Sequence, residues 1–363
     1  MTEEIKEFTS VMSRDKMEEE EIEVLEPKDP SPWTKWCKSS PQALKQSEEK
    51  IISLLKRGSE LQGRYIEINS NVRIWTRELE PENKKKSEGK IPLVIIHGMG
   101  AGMALYAANA ELLADRRKVI LIDLPGFARS SRPEFSTDHI QCEKEYIEYI
   151  ELWRKNMKID IMDLLGHSFG GYVASSYSLI YPTRIKNLIL VDPWGMAVPP
   201  QIKGLGFIIE NIIDLARHFT PLLGLRVSGT LGLNAIKWFK NDLLVIWKET
   251  FKSEDESLLA EYLYHCNAQK PTGESAFTYL NEMLIWARNP MIPRLNRLDS
   301  NVNLTTIFGE YSWIFKLGVD GLDVARVENK GYNKLEIIEK GSHHLFLDNP
   351  QKFTEIVNKA CTF

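Results

Sequence analysis

Gly166-His167-Ser168-Phe169-Gly170-Gly171 is the stretch on which the reading of this chain turns. Before it runs Ile159-Asp160-Ile161-Met162-Asp163-Leu164-Leu165, an apolar run of strand length. After it, Tyr172 to Ile180 carries a helical pattern. Gly-x-Ser-x-Gly between a strand and a helix reads as a nucleophile elbow. The turn is so tight that side chains two residues before or after the serine would collide with the helix or the strand. Glycine removes the collision and leaves the hydroxyl exposed at the sheet's C-terminal edge. There the helix dipole and free backbone N–H groups face any oxyanion that develops. The bare pattern recurs by chance in roughly one chain in ten of this length. Its place between strand and helix gives it its weight.

Further strands read outward from the elbow. Ile91-Pro92-Leu93-Val94-Ile95-Ile96 ends in His97-Gly98-Met99-Gly100. Lys118 to Asp123 and Ile185 to Val191 are similar apolar runs. Such runs suit strands buried on both faces of a parallel sheet. Helical patterns separate them, one of them at 143 to 156. The rhythm predicts an α/β chain with a right-handed parallel sheet and helices on both faces. Ahead of it, Ile66 and Ile68 alternate, then Val72 and Ile74, as in an antiparallel hairpin. After Asp192-Pro193-Trp194-Gly195 the rhythm breaks. Residues 196–288 show helical patterns, Leu205 to Ile213 among them, and no strand is expected there. The sheet resumes at Val302 to Gly309 and Lys334 to Ile338, and a last helix covers about 350–360. The expected division is a tail and lead helix at 1–62, a core at 63–195, a helical cap at 196–288, and the rest of the core at 289–363.

Composition narrows the function classes. The 363 residues are 43% hydrophobic and 26% charged, with a net charge of -4. No global basic field recommends a nucleic-acid partner. Cys37, Cys142, Cys266 and Cys361 are scattered, so neither a disulfide framework nor a zinc site is expected, and no cofactor is called for. The first 30 residues are acidic and read as a disordered tail, not a secretory signal. No stretch has the roughly 20 apolar residues that span a bilayer. Pro32-Trp33-Thr34-Lys35-Trp36-Cys37-Lys38 sets two indoles beside lysines. That suits a membrane interface, and equally a strap packed on the domain. An amphipathic helix follows at 41 to 57.

Acyl-transfer chemistry needs more than the serine. The loop after the 91–96 strand is where an oxyanion hole belongs, so the donors expected are the backbone N–H groups of Met99 and Phe169. The base comes late in the chain. Lys340-Gly341-Ser342-His343-His344 follows the final strand, and His343 is the choice. The acid should lie just past Gly309. Asp320 is the assignment there, with Asp323, Glu310 and the more distant Asp192 as alternatives. His343 and Asp348 also form a His-x4-Asp spacing. That suggests a glycerolipid acyltransferase, although Asp348-Asn349 capping the helix at Pro350 accounts for it more simply.

The chain resembles the α/β-hydrolase subfamily that contains the N-acyl-phosphatidylethanolamine lysophospholipase and its sister, the co-activator of adipose triglyceride lipase. The resemblance runs from about residue 30 onward. It is carried by Ser130-Ser131-Arg132-Pro133, the elbow, Asp192-Pro193-Trp194-Gly195, Tyr264-His265-Cys266-Asn267-Ala268-Gln269 with Gly273-Glu274, Trp286-Ala287-Arg288, and Ser342-His343-His344. It implies an α/β-hydrolase fold and a lipid acyl hydrolase in lipid homeostasis. Ser168 takes the nucleophile position and His343 that of the base. Asparagine stands at the Ser168 position in the co-activator branch, so the serine favours the hydrolase branch. It further implies phospholipid or lysophospholipid substrates and a cytoplasmic protein, peripheral on lipid droplets or internal membranes through Trp33 and Trp36. Two rivals remain: a weakly catalytic adaptor for a triglyceride lipase, and an acyltransferase using His343 and Asp348. Two positions depart from the family. Phe315 stands where its Trp-Ile-Asp has aspartate, and Met99 where phenylalanine is usual.

Overall fold

The strands of the computed structural model are β1 (Gln62–Asn69), β2 (Val72–Leu79), β3 (Leu93–Ile96), β4 (Val119–Ile122), β5 (Met162–His167), β6 (Ile185–Val191), β7 (Asn281–Met283), β8 (Trp286–Ala287), β9 (Asn303–Gly309) and β10 (Asn333–Ile338). The structure describes residues 32–83, 85, 88–199, 220–239, 241–253, 255, 257–283, 286–318 and 332–362. The acidic tail and the run Leu205 to Ile213 lie outside these residues.

Eight strands form one sheet in the order β1-β2-β4-β3-β5-β6-β9-β10. The β1–β2 and β2–β4 pairs are antiparallel, and every pair from β4 to β10 is parallel. This is the α/β-hydrolase fold. The runs that read as unbroken apolar sequence are β3, β4, β5 and β6, all nearly or wholly buried. Alternate residues feed opposite faces, as the pleat requires. Leu93, Ile95, Val119, Leu121 and Leu165 join one core with the C-terminal helix Pro350–Ala360. Val94, Ile96, Ile120, Ile122 and Leu164 join the other, with the helices His139–Asn156 and Phe169–Ile180.

Strand order reverses at β3, which has β4 on one side and β5 on the other. A crevice opens at the C-terminal ends of strands at such a point. The loop 97–100 leaves β3 there and Ser168 leaves β5. The glycines meet the steric demand expected of the elbow. A Cβ on Gly166 would lie 2.3 Å from the Gly170 carbonyl oxygen, and one on Gly170 would lie 2.5 Å from that of His97. Gly170→Ala must therefore push the helix off the end of β3. It should lower the unfolding free energy by roughly 1–3 kcal/mol in urea titrations. A methyl on Gly224 would meet nothing within 4 Å, so Gly224→Ala is the neutral control. Equal midpoints for the two variants would refute the contact.

Between β6 and β9 the described residues are mostly helical: Leu223–Val227, Gly232–Phe239, Asn241–Phe251, Ser257–Asn267 and Thr272–Leu280. The expectation of no strand here is corrected. β7 and β8 pair antiparallel as a small ribbon at the end of the insertion. These strands are too short to show alternation. Arg226 and Glu274, both buried, join the first and last of these helices at 2.6 Å.

Candidate active site

Ser168 sits on the elbow with φ +53 and ψ -119, a strained conformation for a residue with a side chain. Its neighbours fix it there. Its own N–H donates to Val191 O on β6 at 3.0 Å, and its carbonyl accepts from Gly171 N and Trp194 N. The residue is 9% exposed, and the hydroxyl has no hydrogen-bond partner among the described residues. Gly98 lies against it, since a Cβ on Gly98 would be 3.0 Å from Ser168 Cβ. The 97–100 loop therefore borders the serine. The amides of Met99 and Phe169 donate to nothing among the described residues. The Phe169 amide opens a 12-residue helix whose dipole points at this spot.

His343 follows β10, in the loop between Gly341 and the short helix Leu345–Asp348. Its Nδ1 meets Asp192 Oδ2 at 2.5 Å. Asp192 stands directly after β6, fully buried, with φ +41. Its N–H donates to Ile307 O on β9 at 2.7 Å, which fixes the turn that aims the carboxylate. Ser312 Oγ donates to the same Oδ2 at 2.5 Å, and Ser312 accepts from Ile314 N.

The carboxylate on His343 is that of Asp192, one of the alternatives named above, while Asp320 and Asp323 lie outside the described residues. Glu310 accepts from Lys340 N at 2.8 Å instead. Phe315 stands where the resemblance implies an aspartate. Its ring packs on Phe308, with centroids 5.1 Å apart, and belongs to the core. Asp348 accepts the Ser342 N–H at 2.5 Å and shares no hydrogen bond with His343 among the described residues. The cap of the last helix is Asn349, which accepts from Lys352 N.

Three buried groups near the elbow and this pair have roles the sequence does not mark. His167 lies beside Ser168, and its Nε2–H donates to the His343 carbonyl at 2.9 Å. Its Nδ1 is buried without a partner. Burial, then the nearby His343, pushes its pKa well below the ordinary histidine value, so it is neutral. His97 is neutral too, with burial lowering its pKa to about 4. Its Nε2 accepts from Leu124 N, which ties the end of β3 to that of β4. Ser312 is the third, and nothing in its sequence neighbourhood singles it out.

Residues 91–350 match the family described as the alpha/beta hydrolase fold. The chain belongs to the α/β-hydrolase fold family. Within that family it is similar to the (Lyso)-N-acylphosphatidylethanolamine lipase of Mus musculus, 38% identical over 88% of this chain and 91% of that one. It is similar also to the 1-acylglycerol-3-phosphate O-acyltransferase ABHD5 of Mus musculus, 35% identical over 88% and 89%. A solved structure, a membrane phospholipase A described as a bacterial virulence factor, superposes with a TM-score of 0.61. It is 21% identical and covers 88% of this chain and 89% of that one, a likeness of fold. In this α/β-hydrolase chain the insertion after β6 reaches the crevice. Asn267 Nδ2 donates to Gly100 O at 2.8 Å, so the Tyr264–Gln269 segment touches the loop beside Ser168.

Proposed function

We propose that this protein is a lipid serine hydrolase that cleaves carboxylic esters of lysophospholipids and N-acyl phospholipids. The observation that carries the reading is the Asp192–His343 hydrogen bond beside the elbow serine. Asp192 holds Nδ1–H and so leaves Nε2 as the basic nitrogen. Nε2 takes the proton as Ser168 Oγ attacks the acyl carbon. The amides of Met99 and Phe169 receive the oxyanion. The imidazolium then returns the proton to the leaving alcohol, and water releases the acyl group by the same steps. A cavity of about 480 Å³ supports the lipid substrate. Met99, Leu222, Leu225, Ile236 and Leu263 line it, an apolar site for an acyl chain. The (Lyso)-N-acylphosphatidylethanolamine lipase relatives support the head-group class.

The adaptor reading rests on a missing acid, and Asp192 in contact with His343 removes that motive. The acyltransferase reading rests on His343 with Asp348, and Asp348 instead holds the Ser342 amide. No helix among the described residues is long and apolar enough to cross a membrane. Attachment at a lipid-droplet or membrane surface through Trp33 and Trp36 belongs to the same proposal. The Trp33 side chain lies outside the described residues.

A fluorophosphonate probe should label the wild type stoichiometrically and the Ser168→Ala variant not at all. A wild type that stays unlabelled while Ser168→Ala folds normally would overturn the reading.

A further inference from the structure

The string Tyr264-His265-Cys266-Asn267-Ala268-Gln269 closes the helix Ser257–Asn267 of the insertion. Three of its side chains form a clasp on the N-terminal segment. Tyr264 Oη donates to Cys37 O, and Ser39 Oγ meets His265 Nδ1 at 2.9 Å and accepts from Gln269 Nε2 at 2.9 Å. Asn267 points elsewhere. Its Nδ2 donates to Gly100 O at 2.8 Å and to Leu263 O at 2.8 Å. Two carbonyls face the same atom, which fixes that atom as the NH₂ nitrogen. The backbone of Asn267 is held as well. Its carbonyl accepts from Arg226 Nη1 at 3.1 Å, and that buried guanidinium pairs with Glu274 at 2.6 Å.

Gly100 belongs to the loop that borders Ser168. Ala101 N donates to Gly98 O at 3.4 Å, so residues 98–101 form a turn. Gly100, the third residue of that turn, has φ +70, the left-handed value that a type II turn requires there. His97 Nδ1 also meets Gly98 O, at 2.7 Å. The other ring nitrogen, Nε2, accepts from Leu124 N, so the proton sits on Nδ1 and the ring donates. A trans peptide is planar, with its C=O and N–H opposed. Holding Gly98 O therefore aims the N–H of Met99, one of the two amides assigned to the oxyanion. The aim lasts only while the turn does. Glycine leaves the left-handed region at no steric cost. The anchor that holds Gly100 from outside the loop is Asn267.

We propose that Asn267 is a positioning residue for ester hydrolysis: from the inserted helices it holds the 98–101 turn in the form that points the Met99 amide at the acyl oxygen. The oxyanion hole is then complete only with the insertion seated on the crevice. The side-chain NH₂ is what the role requires. Alanine leaves Gly100 O unheld. Aspartate, of equal volume, sets a carboxylate against two carbonyl oxygens and pushes the turn away. The inference rests on the hydrolase reading, since it concerns the oxyanion of that reaction.

Two ligands separate aim from binding. A long-chain alkyl trifluoromethyl ketone accepts Ser168 Oγ at its carbonyl carbon. The carbonyl electron pair moves to oxygen and the serine proton to His343 Nε2, so an oxyanion occupies the hole. An ether-linked alkyl lysophosphocholine enters the same cavity and develops no oxyanion. Asn267→Ala and Asn267→Asp should each weaken ketone binding by about 10–100-fold and lower kcat on a short soluble ester by a similar factor. KM and the Kd of the ether lipid should stay within about twofold of wild type. Gly100→Ala should give the same pattern with Asn267 intact, because alanine disfavours φ +70 and its methyl would lie 3.2 Å from Leu222 Cδ1. Joined to Asn267→Ala, it should cost no more than the larger single loss. Circular dichroism confirms folding. The inference is overturned if ketone and ether lipid weaken together, which would make Asn267 a wall of the cavity and nothing more. It is overturned equally if folded Asn267 variants bind the ketone as wild type does. A wild type that takes up the ether lipid but neither binds the ketone nor cleaves an ester would overturn the hydrolase reading, and this inference with it.

Discussion

Asp192→Asn should lower ester turnover by about 10³–10⁴-fold with the fold intact. Asparagine has the volume of aspartate and fits the buried site after β6. What changes is the sign of one contact. The carboxylate accepts from His343 Nδ1–H, which leaves Nε2 free to receive the serine proton. An amide NH₂ facing Nδ1 favours the opposite tautomer, with the proton on Nε2. The base is then blocked and the imidazolium loses its counter-charge. Ser312 reinforces this, since its hydroxyl donates to the same Oδ2 and keeps that oxygen committed as an acceptor. The measurement is kcat/KM on a short soluble ester, with circular dichroism to confirm folding. Glu310→Gln and Asp320→Asn serve as controls and should retain near wild-type rates. A large loss in either control, with Asp192→Asn near wild type, would return the acid to the segment after β9.

The proposed acid, Asp192, is the least legible member of the candidate site for a physical reason. Elbow and oxyanion loop each sit at the end of a strand that reads as a recognisable apolar run, and the final histidine follows the last strand of the sheet. Their positions follow from strand order alone. The acid depends instead on which strand end faces His343, a tertiary fact. β6 and β9 are neighbours in the sheet, and a carboxylate at the end of either can reach the same imidazole. At β9 that space is filled by Phe315 on Phe308 and by Ser312. Asp192 is visible within Asp-Pro-Trp-Gly, but a family-marking segment does not say which way its side chains point.

The same limit hides the clasp. Tyr264-His265-Cys266-Asn267-Ala268-Gln269 stands out as a string, and much of its contact is with residues far earlier in the chain, Cys37 and Ser39. Periodicity carries no information about partners at that separation. Burial on the lead helix is also only half legible. The apolar positions Leu44, Ile51 and Ile52 do face the core, and so does Glu48, which a hydropathy pattern assigns to solvent.

Glu48→Ala should cost about 3–5 kcal/mol of stability, because it leaves the buried Arg129 without its nearest anion. Glu48 is fully buried on the helix Pro41–Ile52. Its Oε1 accepts from Trp75 Nε1 at 3.0 Å, Arg77 Nε at 2.9 Å and Arg129 Nη1 at 3.0 Å. The Arg129 guanidinium also lies 3.5 Å from the Trp75 ring centroid. Arg77 and Arg129 are 4% and 7% exposed, so water cannot replace the carboxylate without opening the site. Arg77 keeps Leu61 O and Glu49, whereas Arg129 keeps a more distant Glu49 and the rings. Glu48→Gln retains an acceptor but not the charge, so its loss should fall between wild type and alanine. Urea unfolding measures both. A loss below about 1 kcal/mol for Glu48→Ala would mean that the arginines find solvent, as surface pairs do. The electrostatic consequence has a definite direction. Burial first, and the Glu48 charge second, hold Asp123 up at about 7. Removing Glu48 should lower that pKa. Arg129→Met in the Glu48→Ala background should then recover part of the loss, since the stranded cation is gone.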